Sequence, residues 1–394
     1  MKHVAFLIPA LDQLGGAERQ VILLAQGLAR RGWRVTVIAL SGKGAEHAAQ
    51  LQKAGVFFFS LAMRKGWADP RGWVMLRKWI RAEMPDVLHA HLPHAVWMAR
   101  WVRLLAPVRV VVDTIHTSAI GPQSRRRGYR CSNWLTDQTT AVSRDAASAY
   151  STAGIVWEKK LTVVPNAVDV AEWNANPIVR AGMRREHGIE NKFLWFASGR
   201  LEAVKDYSTL LHAFSMVDPQ SILIIAGDGV LRDGLERLAG QLGIHMRVKF
   251  LGFIENPMLW MQSADGFVQT SRWEGLPMSV LEAGACALPT VATNVAGTRE
   301  LIVPGQTGLL VEAGNVRAIA AAMQRMMNMN TAERAAMGEC ARMLVLERYA
   351  MDPVLDRWEK LFGKLLEQNT VPRRWGSAAC RMPQSAEKAA PTMQ

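Results

Sequence analysis

The chain has 394 residues, a length for two or three domains with ample core in each. Apolar residues make up 49% and charged residues 21%, which excludes a mostly disordered, collagen-like or coiled-coil chain. Lys and Arg number 47 against 34 Asp and Glu, a formal charge of +13, so an anionic partner is expected: nucleic acid, a phosphorylated ligand or a membrane surface.

His3 to Ile8 reads as a buried strand, and Gly15-Gly16 open a helix running to about Arg30. Further strands are predicted at Val35 to Leu40, Phe57 to Leu61, Val87 to His89, Val108 to Thr114, Thr139 to Val142 and Leu161 to Val164. Helical stretches near 72–84, 92–104, 123–135 and 144–152 separate most of them. Strand alternating with helix predicts a parallel sheet covered on both faces. The alternation pauses from about 166 to 190, at a linker with a short helix. It restarts with Phe193 to Ala197, Ile222 to Ala226, Val248 to Leu251, Gly266 to Val268, Thr290 to Ala292 and Gly308 to Val311, a second doubly wound domain. Two long helices follow near 331–347 and 352–367. Pro372, Pro383 and Pro391 mark a tail expected to be disordered over 368–394. The expected divisions are residues 1–175, residues 185–345, and a terminal helix at 346–367 that returns to the first domain. Two such domains place ligands in a cleft at the strands' carboxyl ends.

Cys131, Cys286, Cys340 and Cys380 are far apart, with no metal-ligand spacing, and suit a reducing cytoplasm. The apolar run His3 to Leu11 ends at Asp12 without a small-residue cleavage site, so no secretory leader is expected. Val96 to Val112 is broken by Arg100, Arg103 and Arg109, so no spanning helix is expected there. The charge is lopsided: residues 1–175 hold 23 Lys and Arg against 12 Asp and Glu, and residues 176–394 hold 24 against 22. Trp67, Trp73, Trp79, Trp97 and Trp101 interleave with Arg64, Lys65, Arg71, Arg77, Lys78, Arg81, Arg100 and Arg103. That mixture suits an anionic bilayer surface, or a core-and-solvated-face arrangement in which the Trp side chains turn inward.

Arg200 and Lys205 follow the strand Phe193 to Ala197, where two cations beside Gly199 could clamp a diphosphate. Glu274 and Glu282 lie eight apart, with Gly275, Leu276 and Pro277 marking a loop that turns into a helix. The helix N-terminus offers free N–H groups to a phosphate, and the carboxylates suit vicinal hydroxyls. Capping or solvation would explain each of these residues singly. Gly15-Gly16-Ala17-Glu18 could cradle an anion but does not match a dinucleotide fingerprint. His89, His91, His94 and His116 cluster at strand ends, yet no local carboxylate or i, i+4 pair supports a metal. A single His donating to a ligand oxygen fits better, with His89 and His94 as structural residues. No Asp-x-Asp occurs, so a carboxylate-held divalent ion on a diphosphate is unsupported.

Together these segments resemble family 4 of the retaining glycosyltransferases, which have the GT-B fold, among them bacterial surface-polysaccharide enzymes. The resemblance covers roughly residues 3–366. It rests on Gly15-Gly16-Ala17-Glu18, Ile115-His116, Ala141-Val142-Ser143, Val164-Pro165-Asn166-Ala167-Val168-Asp169, Gly199-Arg200-Leu201 with Lys205-Asp206, Gly227-Asp228-Gly229, and Glu274 with Glu282. One departure is Ala167, where the family usually carries Gly. It matters only if that turn needs positive φ. The resemblance implies that Arg200 and Lys205 bind the donor diphosphate, Glu282 the ribose hydroxyls and Glu274 the transferred sugar. It places His116 near the anomeric carbon or a sugar hydroxyl, with Gly15, Gly16, Gly227, Gly275 and Leu276 lining the donor site.

The expected reaction is metal-independent, retaining transfer of a hexose or N-acetylhexosamine from a nucleotide diphosphate sugar, UDP before GDP, with no cofactor. The expected acceptor is lipid-linked or a glycan, at the inner face of the cytoplasmic membrane. Arg77, Lys78, Arg81, Arg125, Arg126 and Arg127, with Arg130, are the acceptor or membrane candidates. Competing readings are a nucleotide-sugar epimerase of the same fold and a non-catalytic protein binding nucleotide sugar or anionic lipid. A nucleic-acid binder would explain the charge, but no recognition motif is present, so no nucleic-acid partner is expected.

Overall fold

The computed structural model describes residues 1–12, 15–42, 44–64 and 69–369. The expectations placed on Lys65, Trp67 and the tail from Thr370 onward lie outside the described residues.

The first sheet has seven parallel strands: β1 (His3–Ile8), β2 (Arg34–Ala39), β3 (Phe57–Ser60), β4 (Val87–His91), β5 (Val110–Ile115), β6 (Gln138–Ala141) and β7 (Leu161–Val163). Their spatial order is β3-β2-β1-β4-β5-β6-β7. Helices α1 (Gly16–Arg30), α2 (Ala45–Lys53), α3 (Pro70–Glu83), α4 (Pro93–Val102), α5 (Gln123–Ser132) and α6 (Arg144–Thr152) connect them. β1 and β4 are fully buried runs of six and five residues, as a strand with helices on both faces must be.

Helix α7 (Pro177–Glu186) leads into the second sheet. Its strands are β8 (Phe193–Ser198), β9 (Ser221–Ala226), β10 (Val248–Gly252), β11 (Gly266–Gln269), β12 (Thr290–Thr293) and β13 (Gly308–Val311), in the order β10-β9-β8-β11-β12-β13. The helices are α8 (Tyr207–Ser215), α9 (Arg232–Gln241), α10 (Met258–Ser263), α11 (Met278–Ala285), α12 (Thr298–Leu301), α13 (Val316–Asn328), α14 (Thr331–Arg348) and α15 (Met351–Gln368). Strand order reverses between β1 and β4 in one sheet and between β8 and β11 in the other. Those are the positions where a doubly wound sheet opens a crevice at its carboxyl edge.

Helix α15 crosses back to the first domain. Met351, Val354, Leu355, Trp358, Phe362, Leu365 and Leu366 recur at helical spacing and join the core beneath β1 and α1. Arg31, just past the end of α1, pairs with Asp352, Asp356 and Glu359, and Trp33 Nε1 donates to Glu359 at 2.8 Å. The second domain is thereby strapped to the first by an element outside either sheet.

One buried group corrects the sequence reading. Arg100, grouped there with the bilayer-facing cations, is fully buried in α4 and forms a bidentate pair with buried Asp113 of β5, at 3.0 Å for each bond. It also donates to the Tyr129 carbonyl, Ser132 Oγ and Thr139 Oγ1. A buried guanidinium is tolerable only with its donors engaged, and these five bonds tie α4, β5, α5 and β6 together. Arg103 likewise turns to Asp137 at 2.8 Å, and Trp73 and Trp79 pack against the core.

Candidate active site

The loops after β8 and β11 form one wall of the cleft. A Cβ at Gly227, which follows β9, would lie 2.0 Å from the carbonyl oxygen of Gly199, which follows β8, so only glycine lets the β8 and β9 loops approach this closely. Asp206 adopts a left-handed conformation, φ 51°, and is buried. Arg272 Nε donates to its carboxylate at 3.1 Å, and Thr270 Oγ1 lies 3.1 Å from the carbonyls of Lys205 and Asp206. The loop bearing Lys205 is thus stitched to the loop bearing Glu274. Lys205 Nζ donates to Glu274 Oε1 at 2.6 Å. Ser271 Oγ and Gln269 Nε2 donate to the same oxygen at 2.6 and 3.1 Å. One carboxylate oxygen is saturated, and Oε2 has no hydrogen-bond partner among the described residues. Arg200 is not drawn into this knot: its side chain is 69% exposed and pairs with Glu202 at 3.0 Å.

Glu282 is the fifth residue of α11, whose N-cap is Pro277. Its side chain is only 6% exposed, and Oε1 accepts from Arg19 Nη1 at 3.0 Å. Burial raises the Glu282 carboxyl above its ordinary range; Arg19 opposes that shift and Glu172 adds to it. Arg19 sits in the first turn of α1, so this ion pair joins the two domains across the cleft. The sequence reading missed it, although Arg19 follows directly on Gly15-Gly16-Ala17-Glu18.

The domains touch through backbone at several points. A Cβ at Gly16 would sit 3.4 Å from Met278 Cγ, and one at Gly275 would sit 2.0 Å from the His116 carbonyl oxygen. Ser118 Oγ donates to the Glu274 carbonyl at 2.7 Å. Asn166 Nδ2 donates to the Leu276 carbonyl at 3.0 Å, and within the first domain Ala167 N donates to Gln20 Oε1 at 2.9 Å. Ala167 is not among the residues with positive φ, so the turn accepts alanine there without strain. At the far side, Asp145 of α6 accepts from Gly297 N at 3.2 Å and pairs with Arg299 at 3.1 Å.

The histidines form a file from the interior to the cleft. His89 and His91 are fully buried, with ring centroids 4.2 Å apart. His91 Nδ1 lies 2.8 Å from His116 Nε2. Burial pushes all three below the usual imidazole range, His116 to about 4, so the rings are neutral near pH 7. His94 is exposed on α4. Among the described residues no three His, Cys, Asp or Glu side chains are grouped to hold an ion.

The basic candidates separate into two regions. Arg125, Arg126 and Arg127 occupy the beginning of α5, at the cleft end of the sheet. Arg130 turns to the carbonyls of Gly154, at 2.9 Å, and Ala153. Arg77 and Arg81 donate to the Leu105 carbonyl at 3.0 and 3.4 Å, at the opposite end of the domain. There Trp101, Leu104 and Leu105 are exposed, beside Val74, Met75 and Lys78 of α3. No helix of the described residues is long and apolar enough to cross a membrane.

Two doubly wound domains closed on a cleft lined by paired carboxylates and cations define a glycosyltransferase of the GT-B fold. Residues 14–172 match the family described as Glycosyltransferase Family 4, and residues 179–343 match Glycosyl transferases group 1. The chain belongs to this family, family 4 of the glycosyltransferases. It is 25% identical over 351 residues to the lipopolysaccharide core biosynthesis glycosyltransferase LpsE of Rhizobium meliloti, covering 88% of this chain and 95% of that protein. It is 26% identical over 273 residues to the Escherichia coli UDP-Gal:alpha-D-GlcNAc-diphosphoundecaprenol alpha-1,3-galactosyltransferase, covering 65% and 70%. HepE of Anabaena, solved with UDP-glucose, superposes with a TM-score of 0.83 at 21% identity, over 92% of this chain and 100% of that one. Sucrose-phosphate synthase of Thermosynechococcus elongatus gives 0.84 at 19% identity, over 93% and 100%. The two solved structures establish the common fold.

Proposed function

We propose that the protein transfers a hexose or N-acetylhexosamine, with retention and without a metal ion, from a nucleotide diphosphate sugar to a lipid-linked or glycan acceptor in surface-glycan assembly. UDP is the preferred nucleotide, in keeping with the UDP-sugar named for the E. coli relative and the UDP-glucose bound to HepE. The observation that carries the reading is the convergence of Lys205, Glu274 and Glu282 at the carboxyl edge of one sheet with His116 and Arg19 from the other.

Each carboxylate has one oxygen anchored and the other open to the cleft. Glu282 Oε2 suits the ribose hydroxyls, and Glu274 Oε2 a hydroxyl of the transferred sugar. The anomeric carbon–oxygen bond breaks toward the diphosphate, whose growing negative charge is met by Lys205, Arg200 and the N-terminus of α11. Lys205 moves from Glu274 toward the diphosphate, and Arg200 swings in from solvent. Among the described residues we place no side chain as a nucleophile. The acceptor oxygen therefore attacks on the face the leaving group vacates, and the diphosphate takes its proton.

The cations of α5 at the cleft end suit the phosphates of a lipid-linked acceptor. The mixed surface of Val74, Met75, Lys78, Arg81, Trp101, Leu104 and Leu105 suits an anionic bilayer and would hold the protein at the inner membrane face. The test is transfer from a panel of UDP-sugars to a polyprenyl-diphosphate-linked sugar, with EDTA, reading the new anomeric proton by NMR. An α-linked product from an α-linked donor supports retention. A β-linked product, interconversion of free donor, or no turnover with any donor refutes the reading.

A further inference from the structure

We infer that His91 is a positioning residue: it holds His116 as the tautomer protonated on Nδ1, so that His116 presents a hydrogen-bond donor, and not a base, to the donor sugar or its leaving phosphate. This rests on the reading of His116 as a residue that meets the donor.

One proton lies between His91 Nδ1 and His116 Nε2, 2.8 Å apart, because both rings are neutral. If it belonged to His116 Nε2, His91 would carry its own proton on Nε2. That atom is buried and has no hydrogen-bond partner, among the rings of Phe6 and His89. An orphaned buried N–H is among the rarest defects in a folded protein, and a bare acceptor is less so. The favoured arrangement puts the proton on His91 Nδ1, donating to His116 Nε2. His116 then carries its proton on Nδ1, which is not among the buried unpartnered atoms and so reaches the cleft.

The neighbouring ring shows the same preference. Thr140 Oγ1 donates to the Asp113 carbonyl at 3.3 Å, so it accepts from Thr114 Oγ1 at 2.7 Å. Thr114 in turn accepts from His89 Nε2 at 2.7 Å. His89 is thereby protonated on Nε2, and its bare Nδ1 is left unpartnered in the core. Both interior histidines direct their single proton to a partner and leave the bare nitrogen among apolar rings.

A histidine general base at the cleft would need a bare nitrogen facing the acceptor hydroxyl. His116 has its bare nitrogen turned inward, occupied by His91. Its free N–H can take only an oxygen lone pair. Assistance to acceptor deprotonation then falls to the leaving diphosphate.

The direct test is NMR of protein labelled with ¹⁵N-histidine. The expected result is His116 protonated on Nδ1 with a bare Nε2; protonation on Nε2 overturns the inference whatever the variants do. His91→Asn, whose side-chain N–H occupies the place of Nδ1, should keep kcat within about threefold. His91→Leu should lower kcat about tenfold, the worth of one misdirected hydrogen bond, with the donor KM and UDP affinity little changed. A folded His91→Leu protein with wild-type kcat and an unchanged His116 tautomer overturns it too. If His116→Ala leaves transfer unaffected, the reading of His116 at the donor falls, while the labelled spectrum still decides the tautomer.

Discussion

Gly275, next to Glu274 in the chain, is a point of close approach between the two domains. Replacing it with alanine puts a Cβ 2.0 Å from the His116 carbonyl oxygen and 3.1 Å from Thr117 Cα. Ordinary contact needs roughly 3.5 Å, so the loops must part by over about 1 Å. Gly275 has no positive φ, so the backbone itself accepts alanine and the clash is the whole effect. It falls between domains, outside either core, and is relieved by opening the cleft. Inside a core such overpacking costs about 1–3 kcal/mol; here the relief should leave Tm within a few degrees of wild type. Catalysis has no such escape, because a displacement of about 1 Å at the reacting groups costs on the order of 100-fold. We expect kcat/KM for transfer to fall by about that factor. Gly234→Ala in α9, with nothing within 4 Å of its Cβ, is the control and should leave the kinetics unchanged. A Gly275→Ala enzyme with wild-type kcat/KM would refute the closed cleft described here.

Glu274→Gln should cut turnover strongly, by roughly 100-fold or more, while Glu282→Ala should mainly weaken UDP binding; stopped assays and calorimetry separate the two effects. Arg100→Met leaves Asp113 buried and unpaired, and should cost about 3–5 kcal/mol in a denaturant melt, against less than about 0.5 for exposed Arg127→Met. His89, His91 and His116 have pKa values below those of the unfolded chain, so their contribution is complete above about pH 6.5 and is lost as the pH falls below it, for His116 toward about 4. For His116 stability should drop by about 1.4 kcal/mol per pH unit across that interval, and His89 and His91 act in the same direction. The buried carboxyl of Glu282 is raised and works the other way, its penalty fading as the pH falls toward about 4.5, so a Tm that rises from pH 6.5 to 5.5 would contradict histidine control. Trp101→Ala with Leu104→Glu should abolish flotation with anionic vesicles at low salt while leaving UDP affinity intact; unchanged flotation would remove that surface from the account.

The strand runs were legible because a parallel strand covered on both faces is a near-continuous apolar run, as β1 and β9 are after their first residues. The site segments were legible because glycine and proline punctuate them: Gly227 and Gly275 sit where a side chain would strike another loop, and Gly199 has a φ of 148° that favours glycine. The partners were not legible. Arg19 and Glu282 are far apart in the chain, and nothing local indicates that α1 will face α11. Arg100 reads as one more cation in a basic, Trp-rich stretch, and only the fold reveals Asp113 opposite it. The same limit applied to Lys205 and Glu274, each assigned to substrate and found paired with the other. Sequence spacing reports which loop carries a charge; topology decides what that charge meets.

The central claim is a diphosphate site built from protein cations without a metal. Calorimetric titration with UDP, with and without EDTA, on wild type and Lys205→Ala tests it most directly. Binding should be unchanged by EDTA and weakened about tenfold or more by Lys205→Ala, as expected for a charge-assisted hydrogen bond. Binding abolished by EDTA, or equal affinity in wild type and variant, would contradict it.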